Sequence, residues 1–465
     1  MKNRDKARLS AAVLVAISLA GCTPRRAASP AVEAAQYGVA ARQTPARTAA
    51  VVDRIDESSS LDECLAYAAL RSPKLEAAYY RWQAALERVP QAKALPDPSV
   101  SYAYYIESVE TRVGPQEHAA GLKQTIPWIG KLARRGDIRA EEARAEYERY
   151  RAAKLNLFYE VKEIYYELYY LRSAIELTRD NMELLAQFER IARAKYRVAA
   201  ASHPDVVRAQ VELGRIEDRL RGLEDLRRPL AASMNAVLDR PAAAPVPWPA
   251  EVSTPRFDFA DEEVVARARR GNPRIKALDR DIERDRYAER LARLDFIPDF
   301  TLGVDYIVTD DARMSGTPDS GQDAVIGRVS FNVPLWFQKY TAAEREAVNR
   351  RAETTRRRND AANAVASEVE RALYDVRDAG RKIELFRDSL IPKAEESLRA
   401  SLRGFESGHL GFLDLLDAER VLLEFQLLER RAMSHKAQGV ARLQMLVGDE
   451  LAAAGADAPA EEAVR

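Results

Sequence analysis

The chain is poor in the residues that usually build catalytic or metal centres. It has 2 cysteines and 4 histidines in 465 residues, and the histidines are scattered. No metal-ligand cluster is legible from them. A CxxC pair, a phosphate-cradling glycine loop and a nucleophile elbow are all absent. Gly130-Lys131 lacks the glycine-rich preamble of a phosphate site. Net charge is missing too, because 72 Lys plus Arg balance 72 Asp plus Glu. That removes the basic excess expected of a nucleic-acid binder. The apolar run 9–20, LSAAVLVAISLA, is too short to cross a bilayer comfortably. These absences point away from an enzyme, and no cofactor is expected.

What is present begins at the N-terminus. Lys2, Arg4, Lys6 and Arg8 precede the apolar run, which ends in Leu19-Ala20-Gly21-Cys22. This order resembles a bacterial lipoprotein processing signal. The resemblance implies removal of 1–21 and a covalent lipid on Cys22, and Thr23, where aspartate is absent, implies the outer membrane. An ordinary secretory signal with a chance cysteine is the competing reading. With Cys22 lipidated, Cys64 has no disulfide partner, and its setting in ECLAYAALR reads as a small helix-core residue. Segment 22–60 reads as an Ala/Pro/Arg/Ser-rich arm, and 449–465 as an Ala-rich mobile tail.

Between them the chain repeats itself. Pro73 and Pro273 stand 200 residues apart, as do Pro98 and Pro298; Pro127 and Pro334 drift to 207. Tyr196 to Gln210 can be laid over Phe405 to Glu419, which matches Asp205 with Asp414 and Ala209 with Ala418. The pattern is an internal duplication. It predicts two structural repeats, 61–240 and 261–448, joined by a proline-rich linker at 241–260. Each reads helix, strand, strand, very long helix, break, helix. Helices are expected at 61–94, 131–198, 205–238, 261–296, 341–406 and 412–447.

Strands are expected at 99–107, 118–126, 300–308 and 325–333. In FTLGVDYIV, Phe300, Leu302, Val304, Tyr306 and Val308 share one face, and Thr301, Gly303 and Asp305 the other. Val100, Tyr102, Tyr104 and Ile106 alternate in the same way, as do Val325, Val329, Phe331 and Val333. Alternation of this length suits a membrane barrel, and a soluble sandwich edge would look alike. Four strands cannot close a barrel, and open edges are not tolerated in lipid. Three chains lending four each is the simplest closure. The long helices of roughly 65–70 residues would reach about 100 Å. Their length without intermediate caps fits a coiled-coil-like assembly. A soluble helical bundle is the plainer alternative.

Gly408, Asp414, Leu415, Leu416, Asp417 and Ala418, in the pattern G-x5-D-x-L-D-A, resemble the outer membrane factor family, the TolC-like channels of tripartite efflux and type I secretion. Gln124 to Lys131 (QTIPWIGK) and Phe331 to Leu335 (FNVPL) carry the same resemblance at the strand-to-helix transitions. It covers about 61–448. It implies a mixed α/β membrane protein: a homotrimer with a twelve-stranded outer-membrane β-barrel, continuous with a periplasmic α-helical coiled-coil barrel. It further implies a passive exit duct that meets a periplasmic adaptor protein and an inner-membrane pump, closest to the resistance-nodulation-division type. The alternative is a periplasmic coiled-coil scaffold lipoprotein without a channel.

By the same resemblance Asp414 and Asp417 line a pore constriction, where a carboxylate ring would attract cations and repel anions. A surface pair bridged to Arg420 or to a neighbouring helix is the bland reading. A glycosidase-like acid/base pair fits poorly, since no sugar cleft is suggested. In the first repeat Asp205 matches Asp414, but Arg208 stands where Asp417 would. A gate link from Arg208 to Asp414 or Asp417 of an adjacent hairpin is one reading, and an ordinary surface arginine is the other. Ser202, His203, Pro204, Gly408, His409 and Gly411 mark the tip turns and the adaptor-docking end. Pro127, Trp128, Gly130, Pro334 and Trp336 mark the barrel–tunnel junction, where amphipathic aromatics favour the membrane boundary; simple core packing at a domain junction is the alternative.

Overall fold

The computed structural model describes residues 54–199, 201–252 and 259–448. The signal segment, Cys22 and the tail 449–465 lie outside the described residues. The order is α1 (Leu61–Arg71), α2 (Pro73–Lys93), β1 (Ser99–Thr111), β2 (Gly114–Ile126), α3 (Lys131–Arg197) and α4 (His203–Val237). It continues with α5 (Asp261–Gly271), α6 (Pro273–Leu294), β3 (Phe300–Thr309), β4 (Ala324–Phe331), α7 (Phe337–Leu385), a π-helical turn (Phe386–Leu390), α8 (Ile391–Ser407) and α9 (Phe412–Val447). The same run of elements therefore occurs twice.

Three expectations about helices need correction. The helices expected at 61–94 and 261–296 are each split in two. Proline disfavours a helical residue before it, so Ser72 and Asn272 turn extended and cap the helix that follows. The second long helix starts at Phe337 rather than 341 and is not uniform. Pro392 has no N–H to give the carbonyl four residues back. The chain widens one turn earlier, and the Ile391 N–H reaches the Phe386 carbonyl instead.

The four strands form one antiparallel sheet in the order β1-β2-β3-β4. β1 and β2 extend beyond the expected 99–107 and 118–126 to a tight turn near Val113. The register shifts between Tyr104 and Val109, which breaks the two-residue alternation there and hides the far end of β1 from pattern reading. β4 stops at Phe331, two residues short of expectation, and the Asn332 side chain accepts from the Asp299 N–H. Cross-strand partners share a face, so the register defines both faces. One carries Val100, Leu122 and Val304 in a row, then Tyr102, Ala120, Tyr306 and Val325. It is bare: Val100 is 71%, Val329 70% and Ile106 91% exposed. The opposite face carries Ser101, Gly121 and Asp305, with Arg328 paired to Asp305 and Thr125 bonded to Thr301 at 3.0 Å.

Below the sheet the helices hold three main cores. Ile55, Cys64, Ala68, Leu75, Leu157, Val161, Met234 and Leu238 close the first repeat. Cys64 is fully buried as expected, and burial pushes its thiol up to about 12. Val264, Ala268, Ile275, Val369, Leu373, Val440 and Leu443 do the same for the second. A third core, with Phe188, Val206, Ala209, Phe405, Phe412, Leu415 and Leu416, joins the far ends of the two hairpins.

Candidate functional site at the hairpin tips

Each hairpin reverses in a few residues, and each restart is capped by an aspartate. In the first, the Ser202 N–H and Oγ donate to Asp205 Oδ2 at 3.1 and 2.6 Å. Pro204 occupies the first turn, where a missing N–H costs nothing. In the second, Gly408 takes the left-handed conformation, φ 81°, that a helix end favours in glycine. The N–H groups of His409 and Leu410 both return to the Gly404 carbonyl, at 2.8 and 3.1 Å. Leu410 then lies over Gly404, where a Cβ would stand 2.6 Å from its Cδ1. The Gly411 N–H donates to Asp414 Oδ2 at 3.0 Å. Asp205 and Asp414 are thus matching caps.

Around this frame the side chains diverge. On α9, Phe412, Leu415, Leu416 and Glu419 point inward while Leu413, Asp414, Asp417 and Arg420 point out. Asp414 and Asp417 share an exposed face one turn apart. Arg208 pairs within its own helix, 3.6 Å from Asp205 Oδ1. Arg420 turns to Glu212 on α4, with Nε 3.0 Å from Oε1. Its hydrogen bond, acting against burial, holds the Glu212 carboxyl below the usual range. His203 sits edge-on to Tyr196, 5.5 Å between rings, and His409 Nδ1 lies 2.9 Å from Ser407 Oγ.

Sequence reading missed three tip residues. Lys195 reaches from the end of α3 to the Phe405 and Glu406 carbonyls, the latter at 2.8 Å, and lies over the Phe405 ring. It supplies a cation to the carbonyl end of α8. Glu212 links α4 to α9 through Arg420. Glu419 is buried against Asn181 of α3. A signal for Glu419 did exist: it continues the inward series Phe412, Leu415, Leu416 at helical spacing. Lys195 and Glu212 left none, because their partners lie about 210 residues away.

At the other end, the QTIPWIGK stretch has a specific job. Lys131, 2% exposed, donates to Asp299 Oδ1 at 2.8 Å and to the Ile297 carbonyl at 2.7 Å. The Trp128 N–H donates to the same Asp299 oxygen at 2.8 Å. Asp299, absent from the sequence reading, therefore ties the two repeats together just below the sheet. Gly130 makes the turn at φ 97°, and Pro127 is buried there. Trp128 packs on Phe300, 5.7 Å between rings, which is junction packing. Trp336 is 78% exposed, beyond the half-buried Pro334.

Comparison with known proteins agrees with this architecture. The family profile described as "Outer membrane efflux protein" matches residues 65–230 and 264–449, one match in each repeat. Nodulation protein T of Rhizobium leguminosarum bv. trifolii is 22% identical over 380 residues, covering 77% of this chain and 79% of its own. The cobalt-zinc-cadmium resistance protein CzcC of Cupriavidus metallidurans is 22% identical over 405 residues, covering 84% and 90%. The crystal structure of the outer membrane protein VceC of Vibrio cholerae superposes with a TM-score of 0.70 at 18% identity, over 84% of this chain and 96% of that one. The chain belongs to the outer membrane efflux proteins and forms an exit duct in the outer membrane.

Proposed function

We propose that three copies complete this duct, each lending four strands to a twelve-stranded barrel. The observation that carries the reading is the sheet itself. Its apolar face is bare, its other face is polar, and β1 and β4 end it as unpaired edges. In lipid those edges must be paired, and closure across chains pairs them without a new element. α3 and α7–α8 would then continue the barrel as a helical tunnel into the periplasm. Cys22 would carry the lipid that tethers the mature N-terminus to the membrane.

The tip is the proposed gate. Symmetry would bring three copies of Asp414 and Asp417 toward one axis, where the exposed carboxylates favour cations over anions. Arg208, held by Asp205 in the single chain, could pair with Asp414 or Asp417 across a boundary in the closed trimer. The turns 202–204 and 408–411, flanked by exposed Val207, Leu410 and Leu413, offer an apolar rim for a periplasmic adaptor. That adaptor would couple the duct to an inner-membrane pump of the resistance-nodulation-division type. The duct itself is passive.

Single-particle imaging of the detergent-extracted mature protein tests the assembly. A threefold particle with a short barrel and a tube of roughly 100 Å is expected, and a monomer without a lumen would refute it. Conductance of Asp414→Asn and Asp417→Asn channels tests the gate, with reduced cation preference expected. Unchanged selectivity in both would remove the constriction from these residues. Arg208→Ala should raise leakage of small solutes.

A further inference from the structure

Among the described residues, Glu419 is a buried acid with no ion pair. It is 1% exposed, and neither carboxyl oxygen makes a hydrogen bond of good geometry, although the Asn181 amide lies close enough to lower its pKa. α3 and α9 run antiparallel here: the Ser434 hydroxyl meets the Tyr166 carbonyl, and Arg431 meets Glu167. Following that register toward the tip brings Asn181 against Glu419. Asn181 is also buried, and its Oδ1 has no donor. The ionised carboxyl can only accept, and the Asn181 amide is the one neutral donor set against it, so its charge is poorly met in this seam. Each buried unsatisfied group costs about 1–3 kcal/mol, and more if charged. One proton on the carboxyl changes the count, because a neutral acid donates as well as accepts.

The surroundings select a proton over a larger cation. A cavity of about 650 Å3 opens beside Glu419, and Arg215, Arg219, Arg420 and Arg431 line it. These guanidinium groups would repel a metal ion, and among the described residues Glu419 is the one fully buried carboxylate lining the cavity. From α4, Glu212 faces Glu419 and disfavours a second negative charge, though Arg420 already engages it. From α9, Arg420 and Glu424 face the cavity, and from α3 Tyr170 does. Glu189 of α3 is committed to Arg193 and Gln210. The matching position in the first repeat is Gln210, a neutral amide that donates to Glu189 at 3.2 Å. The second repeat holds a titratable group where the first holds none.

We propose that Glu419 is a proton-binding site which keeps α3 and α9 closed at the tip when loaded and loosens that seam when it ionises. Burial is the largest influence and pushes its carboxyl up to about 7, with Glu212 adding to the rise and Asn181 and Arg420 opposing it. The sign follows. A closed seam binds the proton, and a hydrated Glu419 in an open seam returns toward the ordinary value near 4.5. Opening is therefore favoured as pH rises from there to about 7, and is flat above. The linkage bounds the change in the opening equilibrium at roughly a few hundredfold. The consequence for transport rests on the exit-duct reading, but the proton site does not.

Two measurements on the full-length protein and Glu419→Gln separate these claims. Infrared difference spectra of glutamate-labelled protein between about pH 6 and pH 8.5 should show a protonated carboxyl band that vanishes near neutrality and is missing from Glu419→Gln. Identical bands in the two proteins would overturn the site. In planar bilayers, the native channel should open more as pH rises, whereas Glu419→Gln stays at the low-pH level. A variant that keeps the full pH response would overturn the coupling. If neither protein conducts, the exit-duct reading fails, and the carboxyl band alone decides the proton site.

Discussion

The two hairpin turns put an aromatic pair in the same place and use it in opposite ways. Tyr196 and His203 face each other across the first turn, 5.5 Å between rings, while Phe405 and Phe412 do so across the second at 5.4 Å. The first pair is open to solvent. The second is buried, at 4% and 1% exposure, in the core that joins the hairpins. Lys195 of the first hairpin covers Phe405, and its own counterpart by the overlay is Gly404, over which Leu410 folds. Duplication thus supplied one backbone plan twice, and divergence assigned one tip to packing and the other to the surface. Burial, more than local conformation, separates them.

The largest test of that contrast is Phe412→Ala. Truncating a fully buried phenylalanine should cost about 3–5 kcal/mol, whereas His203→Ala at the matching exposed site should stay within about 0.5 kcal/mol. Thermal unfolding reads both, and equal losses would break the comparison. Next come the caps. Asp205→Ala and Asp414→Ala should each cost about 0.5–2 kcal/mol, because the two carboxylates hold equivalent N–H groups. Only the second should alter ion selectivity, so a matching selectivity change in Asp205→Ala would erase the functional difference between the tips.

Lys195→Met keeps the stem and removes the charge. Loss of its hydrogen bonds to the α8 carbonyls should cost about 0.5–1.5 kcal/mol. Hydrogen exchange should quicken at the end of α8 while the end of α3 is unchanged. The smallest effect concerns Glu212. Its lowered carboxyl contributes stability that is present above the ordinary glutamate value of 4.5. That contribution is lost as pH falls through the lower folded value. Arg420 is half exposed, so solvent screening keeps the contribution under about 1 kcal/mol. Glu212→Gln should flatten the acid limb of the pH–stability curve by that amount, and an unchanged limb would detach Arg420 from this role.

Much of this was readable from residue order. The repeated prolines, the alternation in FTLGVDYIV and the glycines near 408 are local signals, each set by neighbouring residues in the chain. They foretold the order of elements, the sheet and the site of both turns. The reading faltered where a local pattern was interrupted. The irregularity after Tyr104 concealed the ends of β1 and β2, and Ser72 and Asn272 served as end and start of adjoining helices at once.

Asp414 shows the divide most clearly. Its place three residues after Gly411 was written in the chain, and with it the cap, because a helix start is satisfied by residues within one turn. The partner of Arg420 was not, since Asp417 is near in sequence while Glu212 comes from the other repeat. Lys195 on Phe405, Lys131 on Asp299 and Asn181 against Glu419 are of the same kind. Each joins residues more than 160 positions apart, and each depends on how antiparallel helices slide into register. That register is fixed by the packing of large buried side chains such as Tyr169, Phe188 and Phe412, a cooperative property that no single stretch of the chain contains.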